Sequence, residues 1–114
     1  MNVEERQAGI DTLLVLPDLV EAAVVGLNDA QLDAPCRAGG WTVRQVVHHI
    51  ADSHVHGYTR MKFTVLEDHP TVLLYEQDDW ADVADARAMP VGPSLVLLRG
   101  LMERGGGSCR ICLK

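Results

Sequence analysis

Apolar residues recur at three- and four-residue steps along residues 3–27, at Ile10, Leu13, Leu14, Pro17, Val20, Val24 and Leu27. That spacing keeps one face of an α-helix apolar and predicts a long first helix. Pro17 lacks an amide hydrogen and crowds the preceding turn, so a kink or a split is expected there. Asn28 offers a cap for a short helical turn ending near Leu32, and residues 33–40 read as a loop carrying Pro35 and two glycines.

The second long pattern is the sharpest in the chain. Thr42, with Gln45 three residues later, has the form of a capping box, in which side chain and backbone bond reciprocally. Val43, Val46, Val47, Ile50, Gly57, Tyr58, Met61 and Val65 then form an apolar stripe at helical spacing. The helix is predicted to reach about residue 67, where His69-Pro70 ends it, because a residue before proline avoids helical angles. Residues 71–75 read as extended or loop, and a helical turn over 79–84 is expected to bury Trp80. Residues 89–93 form a linker, after which Ser94 is expected to cap a third helix with Leu95, Leu98, Leu101 and Met102 on one face. Gly105-Gly106-Gly107-Ser108 should stop that helix after Arg104. The pattern as a whole predicts an all-α domain of about three helices.

Length and charge narrow the class. At 114 residues the chain is one domain at most. A net charge of −6 and the lack of any Lys/Arg-rich run argue against nucleic acid as a partner. Apolar runs such as Leu13-Leu14-Val15-Leu16 are far shorter than the roughly 20 residues a bilayer span takes. The start of the chain, Met1-Asn2-Val3-Glu4-Glu5, is acidic and lacks the basic-then-apolar order of a signal peptide, so a cytoplasmic location is expected. Cys109 and Cys112 form a Cys-x-x-Cys pair without the strand-to-helix setting of a redox motif or the second pair of a zinc ribbon, and Cys36 reads as a small buried apolar residue.

Candidate chemistry concentrates on the second helix. It holds His48, His49, His54 and His56, and histidine is a common metal ligand. Successive helical residues turn by about 100°. On that wheel His49, Ser53, His56 and Arg60 form a strip beside the apolar stripe, His48 and Asp52 fall on the far, solvated side, and His54 points with the core. Only His49 faces the core's edge in a way that suits a ligand. His54 is expected to be buried and hydrogen-bonded, His56 exposed and His69 a loop residue. Trp41 and Trp80 read as packing anchors, Arg60 as half of an ion pair, and Asp78, Asp79, Asp82 and Asp85 as a solvated face.

Residues 33–80 resemble the YfiT-like branch of the DinB superfamily, whose members are metal-dependent hydrolases and, in some cases, bacillithiol S-transferases. The residues that carry the resemblance are Gln31-Leu32-Asp33, the run from Gly39-Gly40-Trp41-Thr42 through His48-His49-Ile50-Ala51-Asp52-Ser53-His54, then Tyr58, Arg60, Lys62, Pro70-Thr71, Tyr75 and Trp80. The likeness continues more weakly from Pro93-Ser94-Leu95 to Glu103-Arg104. It implies a DinB-like up-and-down four-helix bundle holding one divalent metal, zinc or nickel, on three histidines. The first is at the position of His49, and the other two come from a His-x-x-x-His pair on the last long helix. The metal would activate water, or a thiol in a transferase.

No His-x-x-x-His pair follows Arg104 here. The expectation is therefore an incomplete bundle of about three helices with the fourth missing. Residues 1–104 would form the N-terminal part of a DinB-like domain, and residues 105–114 an atypical, disordered tail left by a frameshift or truncation. On that reading the chain is inactive alone and holds no metal stably. The competing expectation is a non-catalytic remnant or self-associating helical module that covers its open apolar faces as a homodimer.

Overall fold

The computed structural model describes residues 2–67 and 75–112. Six helices follow one another: α1 (Val3–Val24), α2 (Asp29–Leu32), α3 (Val43–Leu66), α4 (Gln77–Asp82), α5 (Ala84–Ala88) and α6 (Gly92–Cys112). The described residues contain no β-strand, only an isolated antiparallel bridge between Pro35 and Thr42 across the loop before α3. The expected all-α class holds. His69-Pro70 and residues 71–74 lie outside the described residues, as do the side chains of Cys109 and Cys112.

Three helices start on the same local device. Asn2, Asn28 and Thr42 each accept the backbone N–H three residues on, and Glu5, Gln31 and Gln45 reach back to the cap's own N–H. Each box satisfies two of the amides that a helix start leaves without partners. Pro17 does not split α1, which runs unbroken through it. The ring is buried, so its packing offsets the one amide bond it removes.

The core forms where α1, α3 and α6 converge. Val20 and Val24 of α1, Leu32 of α2, Val47 of α3, and Leu98 and Met102 of α6 make one buried cluster. α6 packs on both α1 and α3, while α2, α4 and α5 pack on α3. Beside this core the long helices leave an apolar groove of about 310 Å³, lined among others by Ile10, Leu13, Tyr58, Met61 and Leu101.

A buried cation ties the connections to α3. Arg44, only 4 % exposed, donates from Nε to Asp33 at 2.8 Å, from Nη2 to Asp29 at 3.0 Å and from Nη1 to the Met89 carbonyl at 2.9 Å. The hydrogen bonds to Asp33 and then Asp29 raise the guanidinium pKa further above its ordinary value.

Four local expectations need correction. Cys36 is exposed rather than buried, because it sits on the surface loop before α3. Trp80 is 42 % exposed rather than buried, because α4 instead presents Ala81 to α3, and Gln45 Nε2 bonds the Ala81 carbonyl at 2.8 Å. Ser94 does not cap α6. The helix already begins at Gly92, with Pro93 in its first turn, where a missing amide costs nothing, and the Leu95 N–H bonds to the Val91 carbonyl at 3.0 Å. Finally, α6 does not stop after Arg104 but continues to Cys112. Glycine weakens a helix by about 1 kcal/mol relative to alanine yet keeps its amide, so a glycine run tolerates propagation where a proline would not.

Candidate metal centre on the histidine helix

α3 carries four described histidines, and their ring nitrogens have different fates. His48 is buried, not solvated as the wheel suggests. Its Nε2 lies 2.9 Å from the Met89 carbonyl and its Nδ1 2.6 Å from the Ser94 hydroxyl. A carbonyl only accepts, so Nε2 donates to it, and Nδ1 of the neutral ring accepts from Ser94. The wheel errs because the segment from Met89 into the first turn of α6 folds over that face of α3. His54 is half-buried and donates Nδ1–H to the Ile50 carbonyl at 2.7 Å, and His56 donates Nδ1–H to the Asp52 carbonyl at 2.9 Å.

His49 differs from all three. No backbone carbonyl takes either ring nitrogen, and its polar neighbour is the Ser53 hydroxyl, 3.4 Å from Nε2 and 3.5 Å from Nδ1, at the weak limit of a hydrogen bond. Trp41 stands edge-on against the ring with centroids 4.7 Å apart. Ser53 also bonds the Tyr75 hydroxyl in a short contact. The Tyr75 ring stacks on His56 at 3.9 Å, and Trp80 meets both rings edge-on. His56 is thus half-buried under aromatic rings rather than exposed. The strip read from the wheel is real for His49, Ser53 and His56, and tertiary folding adds Tyr75 to it. No periodic signal marks Tyr75, which enters from beyond the end of α3.

Among the described residues no group of three His, Cys, Asp or Glu side chains is placed to hold a metal ion. Asp78, Asp79, Asp82 and Asp85 are exposed, as expected, and Asp82 pairs with Arg87. Next to His48, Asp52 behaves unlike a surface carboxylate. Burial first, and then Asp85, push its pKa up, against the opposing pull of His48, His49 and His56. A carboxyl whose pKa is raised on folding stabilises the fold while protonated and loses that contribution as pH rises through the raised value. Replacing Asp52 with Asn should therefore raise the melting temperature near neutral pH, with the gain vanishing below about pH 4. Thermal melts of both proteins across that range check it, and equal melting at neutral pH would contradict the burial argument.

Comparison with known proteins identifies the family. The DinB superfamily matches residues 13–93. A protein of Geobacillus thermodenitrificans named "Putative metal-dependent hydrolase" is 48 % identical over 103 residues, which is 90 % of this chain and 58 % of that protein. A Geobacillus kaustophilus protein of the same description is 49 % identical over 100 residues, covering 88 % of this chain and 56 % of its own length. A Bacillus cereus relative is 46 % identical over 89 residues, 78 % of this chain and 51 % of its own. Among solved structures, YfiT from Bacillus subtilis, described as a probable metal-dependent hydrolase with an unusual four-helix bundle topology, superposes with a TM-score of 0.95 at 38 % identity, over 97 % of this chain and 63 % of YfiT. The chain thus spans a little over half the length of the curated relatives it matches. The family match over residues 13–93, the helical architecture and the relatives agree: the chain belongs to the DinB superfamily.

Proposed function

We propose that this chain is the N-terminal portion of a cytoplasmic metal-dependent hydrolase or thiol S-transferase, and that it contributes His49 as one ligand of a divalent metal, zinc or nickel. One observation carries the reading: His49 is the described histidine of α3 whose ring nitrogens take no backbone carbonyl. A ligand nitrogen must be neutral and uncommitted: both nitrogens of His48 are bonded, His54 and His56 keep only Nε2 open, and His49 keeps both nitrogens clear of the backbone on the strip beside the core.

The described residues do not fit the metal by themselves. A catalytic zinc takes about three protein ligands and an open position, and one imidazole falls short of that. The relatives' names support metal dependence of the whole family fold, and the relatives are longer than this chain. What the chain itself supplies is the setting of the first ligand. Trp41 packs edge-on against the His49 ring, Ser53 makes a weak contact to it, and Tyr75, stacked on His56, bonds Ser53.

Titration of the 114-residue protein with zinc or nickel should show weak binding that His49→Ala lowers by at least about tenfold, while His48→Ala lowers stability instead. Isothermal titration calorimetry with parallel melts separates the two effects. Metal affinity untouched by His49→Ala would overturn the assignment.

A further inference from the structure

A second concavity adjoins His49. Between the loop at residues 36–41 and the first turn of α4 lies a cleft of about 480 Å³, lined by Cys36, Arg37, Gly40, Trp41, Gln77 and Asp78 among others. It is more polar than the groove between the long helices. Trp41 forms one wall, and the same ring stands against His49, so cleft and candidate ligand share a side chain.

Two exposed charges, Arg37 and Asp78, line this cleft and neither is used. Arg44, Arg87 and Arg99 each hold a carboxylate. Among the described residues the Arg37 guanidinium makes no hydrogen bond or ion pair, and the Asp78 carboxylate makes none either, so the two do not neutralise each other. The Arg37 stem packs close to the loop backbone at Gly40. Gly39 sits at φ +71°, a left-handed conformation suited to glycine, and a Cβ on Gly40 would fall 2.5 Å from Arg37 Cγ and 3.1 Å from its Nε. A side chain at position 40 would therefore have to push the exposed Arg37 stem aside.

From this geometry we propose that the cleft binds the head group of an amino-acid-like small molecule, with its carboxylate on Arg37 and its ammonium on Asp78. A guanidinium offers a planar fork of donors that matches a carboxylate. The opposing Asp78 disfavours phosphates and other polyanions, which meet repulsion on one side of the cleft, and suits a ligand carrying both signs. The remainder of such a molecule runs along Trp41 toward His49. The inference rests on the reading of His49 as part of a reactive centre for its purpose, but not for the binding event, which needs no metal.

The test is an NMR titration of the 114-residue protein in EDTA, following the Trp41 indole N–H with three probes. L-alanine carries both charges, N-acetyl-L-alanine the carboxylate alone and L-alaninamide the ammonium alone. L-alanine should bind tightest. Arg37→Ala should weaken L-alanine and N-acetyl-L-alanine by about tenfold and leave L-alaninamide unchanged, while Asp78→Asn should weaken L-alanine and L-alaninamide only. Gly40→Ala, checked for helical content by circular dichroism, should reproduce the Arg37→Ala pattern by displacing that side chain. Absence of any shift with L-alanine, equal affinity for all three probes, or unchanged L-alanine binding by Arg37→Ala overturns the proposal. Because metal is chelated throughout, failure here leaves the His49 assignment standing, and failure of the metal titration leaves this one standing.

Discussion

Leu98→Ala should destabilise the protein by about 3 kcal/mol, the middle of the range for emptying a fully buried leucine site. Leu98 is 1 % exposed and lies in the cluster where α1, α2 and α3 meet α6. It contacts the core from the one long helix that packs on both of the others. Removing its isobutyl end forfeits transfer free energy and leaves a cavity whose walls belong to several elements, so they cannot all close in together. Against the 5–15 kcal/mol typical of a whole domain, that is a large fraction. The neighbours supply the control. Val96 is 74 % exposed and Leu97 44 % exposed, so alanine there should change stability by less than about 0.5 kcal/mol in the case of Val96 and only modestly for Leu97. Urea unfolding should show the Leu98→Ala midpoint lowered with an unchanged slope. A shift no larger than that of Val96→Ala would mean α6 does not seat on the core as described.

Arg44→Ala should cost about 2–3 kcal/mol. The side chain is nearly fully buried, but its two carboxylate partners are not: Asp29 is 92 % and Asp33 53 % exposed. Once the arginine is gone they rehydrate, so the penalty for stranding a charge in the interior is small. What is lost is the packed aliphatic stem, the bond to the Met89 carbonyl, and the link holding α2 and the connection before α6 against α3. Arg44→Lys should recover only part of this, since an ammonium cannot reach three acceptors in a planar fork. Equilibrium unfolding of both variants tests it. A loss below about 0.5 kcal/mol for Arg44→Ala would class the contacts with ordinary surface ion pairs.

These two side chains also show how far the chain's pattern can be read. Leu98 stands out in the three-and-four spacing of the last helix, and the same rule finds Val20, Val24 and Val47. Thr42 with Gln45 places the start of α3 because a capping box is closed within four residues and needs nothing from elsewhere. The failures share the opposite property. His48 reads as solvated until the segment around Met89 and Ser94 folds over it, some forty residues further along the chain. Trp80 reads as buried because it is large and apolar, but which residue of a six-residue helix faces α3 is decided by the approach of the connections, and Ala81 takes that place. Arg44 gives no periodic sign of its role, which depends on three acceptors in two separate segments, α2 with its C-cap and the connection at Met89. The juxtaposition of His49, Ser53 and His56 is legible from the helical period, whereas Tyr75 is not, its position being a matter of chain return rather than period.

The adjacent pair His48 and His49 makes α3 intolerant of a slipped frame. Each residue added or removed between Thr42 and His48 would turn everything after it by about 100°. With one residue inserted, His48 would take the place of His49, and the buried slot facing Ser94 and the Met89 carbonyl would receive Val47, which cannot bond either. With one residue deleted, His49 would fill that slot and Ile50 would stand where the imidazole meets Ser53 and Trp41. A doublet of identical residues therefore conceals two unlike parts, a bolt and an open hand, and only the native count between cap and doublet places both.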